Sequence, residues 1–258
     1  RLGLRSIDGF REAWAERIVA ERPFADLEDL RVRAKLPPAA LDRLAEADAY
    51  GSLELSRRQG LWAARGAPPA ASSAPLFEAM GLKEADGRPP EALPELAPSE
   101  EVVGDYQTIR MSLKGHPVAF LRERLEAAGA VTARACNGLP DGRRAVVGGV
   151  VLVRQRPGTA KGVCFMTLED ETGVATLVLW ESVFERFRPT AMGARMVLAK
   201  GRVQTAEGVT HLVVEELDDW TPMLGHLTPD RVPGSAHEPA RGRHPRAVRV
   251  LPGSRDFH

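Results

Sequence analysis

The chain has 258 residues and no net charge, with 35 basic and 35 acidic side chains. This length allows one or two domains with buried cores, and the zero net charge favours neither nucleic acid nor an acidic partner. Two cysteines cannot form a zinc site and favour a reducing, cytoplasmic setting. No apolar run approaches the length of a membrane span, so we expect no membrane partner.

Residues 1–66 are predicted to contain two successive helix–hairpin–helix units. In such a unit, the hairpin amides and the next helix N-terminus receive a DNA phosphate, and the candidate contact in the first hairpin is Gly9. An ordinary helical bundle is the alternative. The predicted helices are Arg11–Glu21, Asp26–Ala34, Ala39–Ala47 and Ser56–Arg65.

Residues 67–98 are rich in Ala, Pro, Ser and acidic residues, which is typical of a flexible, extended linker. Within the linker, Leu76 and Phe77 are either a docking peptide for the groove of a partner protein or a local contact. Residues 99–140 are predicted to form a helical connector, in which Ser99 caps the first helix and His116-Pro117 opens the next.

Residues 141–221 carry five short strand signals separated by turns, with a helix between the third and fourth strands. This order predicts a five-stranded β-barrel of the OB type, and hence an α+β chain. The tail, residues 222–258, is basic. The predicted strands are Val146–Val153, Val163–Leu168, Val174–Trp180, Arg195–Val203 and Val209–Glu216.

Alternation along the strands places compact apolar side chains inside the barrel and leaves aromatic and basic side chains outside. Rings that stack on bases, beside cations that hold phosphates, are typical of a site for single-stranded nucleic acid. The alternative is that Phe165 and Trp180 pack under the linker or a helix. The candidate nucleic-acid contacts of the barrel are Arg154, Gln155, Arg156, Lys161, Phe165, Trp180, Lys200 and Arg202.

The sequence indicates no catalytic residue and no metal site. The six histidines are scattered without metal-ligand spacing, and no nucleophile–base grouping or phosphate-binding glycine loop is present. The acidic run Glu169–Glu171 at a strand end is interpreted as a solvated face. Because the chain lacks an initiating Met and opens inside a motif, we expect a segment of a longer protein.

Five stretches match the motifs of one family: Leu2–Gly9, Ser112–Pro117, Val153–Gly162, Phe165–Gly173 and Ser254–His258. Together they resemble the C-terminal region of bacterial C-family DNA polymerases, which are relatives of the polymerase III alpha subunit. Arg154–Gly158 and the Ser254–His258 ending resemble the error-prone branch used in damage-induced mutagenesis. The resemblance extends over essentially the whole chain.

The resemblance implies a DNA-directed DNA polymerase for translesion synthesis, with the helix–hairpin–helix region on duplex DNA and the barrel near the single-stranded template. The catalytic palm, its aspartates and its Mg²⁺ ions would lie upstream, so this part needs no cofactor and is inactive alone. A mutasome partner protein or the sliding clamp is a further expected partner, although the Leu76-Phe77 stretch lacks the glutamine of clamp-binding peptides.

Two alternatives remain open at the level of sequence. The barrel motif also resembles tRNA-anticodon domains of class II synthetases, which predicts an RNA-binding module. A protein-interaction module without nucleic-acid binding is the second alternative.

Overall fold

The computed structural model describes residues 2–66, 93–158, 162–206 and 208–228, and the backbone of residues 255–257. It divides into two compact units, Arg1–Ala97 with Gly104–Met111, and Pro98–Val103 with Ser112–His258. The predicted α+β class is confirmed, since helices precede a closed barrel. The predicted five-segment division stays a prediction. The docking residues Leu76 and Phe77, Lys161, and residues 229–254 of the basic tail lie outside the described residues.

The first unit is helical, and local signals set the ends of its helices. The Asp26 carboxylate caps α2 by accepting a hydrogen bond from the Asp29 amide at 2.8 Å. Pro38 begins α3, at a position where a missing N–H costs nothing. The helices are α1 (Glu12–Glu21), α2 (Leu27–Arg33), α3 (Pro38–Glu46) and α4 (Arg57–Gly66).

The core of the first unit joins these helices through Leu30, Leu41 and Tyr50, which are buried. The hydroxyl of Tyr50 donates to the carbonyl of Leu41 at 2.8 Å. Gly60 lies against the Tyr50 ring, where a Cβ would stand 2.7 Å from a ring carbon. Trp14 and Ile18 pack on the same core.

Helix α5 begins in the second unit at Pro98 and ends in the part of the chain that belongs to the first unit. Ser99 lies inside its first turn and is not the predicted cap. The imidazole Nδ1 of His116 accepts from the Val118 amide at 3.2 Å and caps a 3-10 helix, Pro117–Leu121. Among the described residues between α4 and the barrel, the α-helices are α5 (Pro98–Thr108), α6 (Arg122–Ala127) and α7 (Ala133–Asn137).

The predicted five-stranded barrel is confirmed. Its strands pair in the order β1-β2-β3-β5-β4 and close through a pairing of β4 with β1. Helices α8 (Glu181–Arg186) and α9 (Arg188–Gly193) connect β3 to β4, and a 3-10 helix follows at Thr221–Leu227. The strands are β1 (Arg144–Gln155), β2 (Cys164–Asp170), β3 (Gly173–Leu179), β4 (Met196–Ala206) and β5 (Val209–Asp219). A short strand, β6 (Arg255–Phe257), pairs in parallel with the end of β1.

The barrel interior holds the predicted inward sets, among them Met166, Leu177 and Ala199, each fully buried. Gly149 permits close approach of two strands, because a Cβ there would lie 2.6 Å from the Glu169 carbonyl oxygen. The pairing of β1 with β2 shifts register between Val151 and Val153. This bulge decides which side chains at the end of β1 face outward.

Candidate nucleic-acid interface

Two rows of outward side chains cross the barrel on neighbouring strands. The "aromatic row" runs through register partners in the order Gln155, Phe165, Val178, Val213 and Arg202, of which Val178 is buried. Inward partners alternate with it, since Met166, Leu177 and Leu212 are fully buried.

The second row lies two residues further along each strand. This "polar row" runs through Val153, Thr167, Thr176, His211 and Gln204. The two rows together make an outer surface that crosses all five strands, from the end of β1 to β4.

Trp180 extends this surface at the end of β3. Because Cys164 pairs with Leu179, Trp180 lies one residue beyond the last pair and points outward with Phe165. Trp180 is 54% exposed, whereas Phe165 is half-buried. Both placements agree with the predicted outward face, and the indole is open to stacking.

Arg154 does not lie on this surface, so its predicted outward placement is wrong. The bulge after Val151 turns Arg154 inward opposite Met166, and its side chain is buried. The guanidinium donates to the carbonyls of Ala191, at 2.6 Å, and Ala194. These hydrogen bonds hold the end of α9. Simple alternation along β1 would have placed Arg154 outside, and the bulge reverses it.

Lys200 and Arg202 point outward as predicted, but acidic residues of β5 neutralise both. The Lys200 ammonium lies 3.1 Å from Glu216 and 3.8 Å from Asp218. The hydrogen bond to Glu216 and the charges of Glu216 and Asp218 raise the pKa of Lys200. Arg202 pairs with Glu215 at 3.1 Å. Phosphate contacts by these two side chains would have to compete with existing ion pairs.

The remaining predicted contacts of the barrel differ in availability. Gln155 is exposed at the end of the aromatic row. The Arg156 guanidinium stacks on the Phe184 ring, 4.5 Å from its centroid, and lies 3.5 Å from Glu185. Arg156 is therefore held beside the connection between β3 and β4.

Asp170 was interpreted as part of a solvated acidic run, and that interpretation is wrong. Its carboxylate is buried and accepts hydrogen bonds from the Ala133 amide and from the Thr172 amide and hydroxyl, each at 2.7 Å. The Arg122 guanidinium donates to it at 2.9 Å. Burial alone would raise the pKa of Asp170, but these hydrogen bonds and the Arg122 charge hold the pKa below its usual value. The network fixes the β2–β3 turn at the edge of the outer surface.

The first unit has its own candidate surface. Gly9 adopts a left-handed φ of +73° in the turn before α1, which fits the predicted hairpin. A groove of about 530 Å³, which the sequence analysis did not identify, is lined by Trp14, Arg17, Arg31 and Lys35, together with Val32, Leu36 and Pro37. Arg17 and Lys35 are suited to an anionic backbone, whereas Arg31 is already paired with Glu28.

Two family models match the chain. The model described as a helix-hairpin-helix motif matches residues 1–60, and the model described as an OB-fold nucleic acid binding domain matches residues 145–219. These matches agree with the helical first unit and with the barrel. Both indicate nucleic-acid binding.

Curated relatives match along the chain. The chain is 46% identical over 261 residues to a protein named error-prone DNA polymerase from Brucella abortus biovar 1 (strain 9-941), an alignment that includes 100% of the chain and 24% of the relative. The chain is homologous along its length to a part of proteins named error-prone DNA polymerase. Another such protein, from Bradyrhizobium sp. (strain ORS 278), is 49% identical over 273 residues, with 97% of the chain and 23% of the relative aligned. The chain thus spans about a quarter of the length of these polymerases.

Among solved structures, asparaginyl-tRNA synthetase from Pyrococcus horikoshii aligns with a TM-score of 0.31 and 25% identity. The alignment includes 34% of this chain and 22% of the synthetase. A score of this size supports no conclusion, and the barrel assignment rests on strand order and on the family model.

The described residues contain no group of three or more His, Cys, Asp and Glu side chains that could hold a metal ion. Within the same residues, no helix is long and apolar enough to cross a membrane.

Proposed function

We propose that this chain is the DNA-holding part of a longer error-prone DNA polymerase. The outer surface of the barrel binds the single-stranded template, and the first unit binds the backbone of duplex DNA. The observation that carries the proposal is the outer barrel surface, where exposed Trp180 lies two residues from Val178, the register partner of Phe165.

The barrel surface is suited to unpaired bases. Bases that are not in a duplex expose their rings, and stacking on an aromatic side chain contributes about 1–3 kcal/mol per base. Trp180 and Phe165 offer such rings on adjacent strands. A base pair inside a duplex presents only its edges to a flat protein surface, so this surface favours single strands.

The described cations of the barrel add little to this binding. Lys200 and Arg202 are already paired with acids, and Arg156 lies beside Glu185. Each new phosphate contact would replace an ion pair and release few counterions. Single-strand binding by the barrel should therefore depend weakly on salt.

The first unit offers cations around a groove, in contrast to the aromatic surface of the barrel. The groove between α1 and the turn after α2 places Arg17 and Lys35 beside the Trp14 indole. Lysine and arginine around a concave surface hold phosphates without recognising sequence. We assign duplex DNA to this unit, with Gly9 in the neighbouring turn.

The polymerase reaction belongs to the longer protein in this proposal. Nucleotidyl transfer onto a primer, across damaged template, would take place in a palm with Mg²⁺ ions. The described residues offer no ligand cluster for such an ion, so no catalytic step is assigned to them. Recruitment would involve a mutasome partner protein or the sliding clamp, in the cytoplasm.

Fluorescence anisotropy of the chain with labelled single-stranded DNA, single-stranded RNA and duplex DNA tests the proposal. Oligonucleotides of about twelve nucleotides fall within the site size of an OB fold. We expect binding to single-stranded DNA with a shallow salt dependence, and to duplex DNA with a steep one. Preference for RNA would favour the anticodon-type alternative. Absence of binding to all three at low salt would refute the proposal and favour a protein-interaction module.

A further inference from the structure

The polar row on the barrel lies beside the aromatic row at a fixed spacing. Thr167, Thr176 and His211 stand two residues along their strands from Phe165, Val178 and Val213. Two residues of a strand span about 6.6 Å, and neighbouring strands lie about 4.8 Å apart. A base stacked on Phe165, the aromatic member of the row, therefore extends its edge toward the polar row.

The side chains of the polar row have the chemistry that base edges require. Threonine hydroxyls, the glutamine amide and a neutral imidazole can each donate and accept a hydrogen bond. Thr167, Thr176 and Gln204 are half-buried or exposed at their positions. None of them carries charge, so the row can recognise a base without adding to phosphate attraction.

His211 lies in this row between Thr176 on β3 and Gln204 on β4. Its ring is half-buried, and Nδ1 is buried with no hydrogen-bond partner among the described residues. With Nδ1 enclosed, Nε2 is the ring nitrogen directed toward the solvent side of the row. The strands on both sides fix the position of the ring.

We propose that the polar row contacts the edges of template bases, with His211 as the central contact, and that it gives the barrel a preference among bases. This inference rests on the proposed function, because it requires a single strand stacked on the aromatic row. A surface that only stacked bases and paired phosphates would show modest preferences set by stacking strength and strand flexibility, and loss of a polar side chain from the row would leave those preferences unchanged.

Anisotropy with labelled homopolymers of deoxythymidine, deoxycytidine and deoxyadenosine tests the inference. We expect the wild-type chain to prefer one homopolymer at least about threefold, the equivalent of one ordinary hydrogen bond. His211→Phe keeps a flat ring but removes both nitrogens, and it should weaken the preference among the three homopolymers. The salt dependence should stay unchanged, because no charge contact is lost.

Two further variants make the result decisive. Thr176→Val is nearly isosteric and should weaken the same preference in a barrel whose thermal unfolding is unchanged. His226→Phe alters an exposed histidine in the 3-10 helix after β5, outside the row, and should leave the preference intact.

Equal wild-type affinities for the three homopolymers, or a preference that survives both His211→Phe and Thr176→Val, would overturn the inference and leave the proposed function standing. A wild-type chain that binds no single strand would overturn both.

Discussion

The backbone amide of Ala133 donates a hydrogen bond to the carboxylate of Asp170 at 2.7 Å, across 37 residues of sequence. This bond ties the start of α7 to the β2–β3 turn. Thr172 and Arg122 donate to the same buried carboxylate. The edge of the outer barrel surface therefore depends on one acidic side chain.

Replacing Asp170 with Asn should lower the free energy of unfolding of the barrel. The amide group carries no charge and turns an N–H toward one of the donors, so buried groups lose partners at a cost of about 2–3 kcal/mol. Urea denaturation followed by circular dichroism measures the change. Asp218→Asn, at an exposed carboxylate 3.8 Å from Lys200, is the control and should cost under about 1 kcal/mol.

The stability of the barrel should also depend on pH through Asp170. Its folded-state pKa is lowered, so its contribution is complete above the unfolded value of about 3.9 and is lost as pH falls through the folded pKa. The difference in unfolding free energy between wild type and Asp170→Asn should therefore shrink as pH falls below about 4. A difference that stays constant down to the acid limit would contradict the assigned pKa direction.

The first unit contains a buried ion pair between Arg57 and Asp105, whose side chains are 4% and 6% exposed. Asp105→Ala should destabilise the unit by about 3–5 kcal/mol, because it leaves a buried guanidinium charge without this carboxylate. Asp8→Ala breaks an exposed pair with Arg110 and should cost under about 1 kcal/mol. Thermal unfolding of both variants measures the two losses of stability. Similar losses would contradict this prediction.

Arg154 should act on folding and not on DNA. Arg154→Met removes the hydrogen bonds to the Ala191 and Ala194 carbonyls, so we expect a loss of about 2 kcal/mol in unfolding free energy. At a temperature where the variant is folded, the salt dependence of single-strand binding should match that of wild type. If the slope of log affinity against log salt concentration fell by about 0.7, the value for one lost phosphate contact, the result would contradict the buried placement of Arg154.

The sequence predicted the elements that local rules control. Alternation in β2, β3 and β4 correctly separated Met166, Leu177 and Ala199 from the outward side chains, because these strands are regular. The helices of the first unit were predicted within one or two residues from their apolar spacing and from proline positions.

Long-range pairing could not be predicted in the same way. Arg154 was misplaced because a bulge changes the period of β1 without a clear mark in its β-branched run. Asp170 was misjudged because its donor Ala133 is distant in sequence. The groove beside Trp14 and Lys35 forms only once α1 meets the turn after α2.

In the proposed function, the exposed indole on the barrel stacks a base of single-stranded DNA. Trp180 and Trp62 offer a matched pair, since they are 54% and 53% exposed and Trp62 lies on α4 of the first unit. We would measure the affinity of Trp180→Ala and Trp62→Ala for one single-stranded oligonucleotide by anisotropy. We predict that Trp180→Ala loses about 1–3 kcal/mol of binding free energy and that Trp62→Ala binds like wild type. Equal affinities for wild type and Trp180→Ala would contradict it.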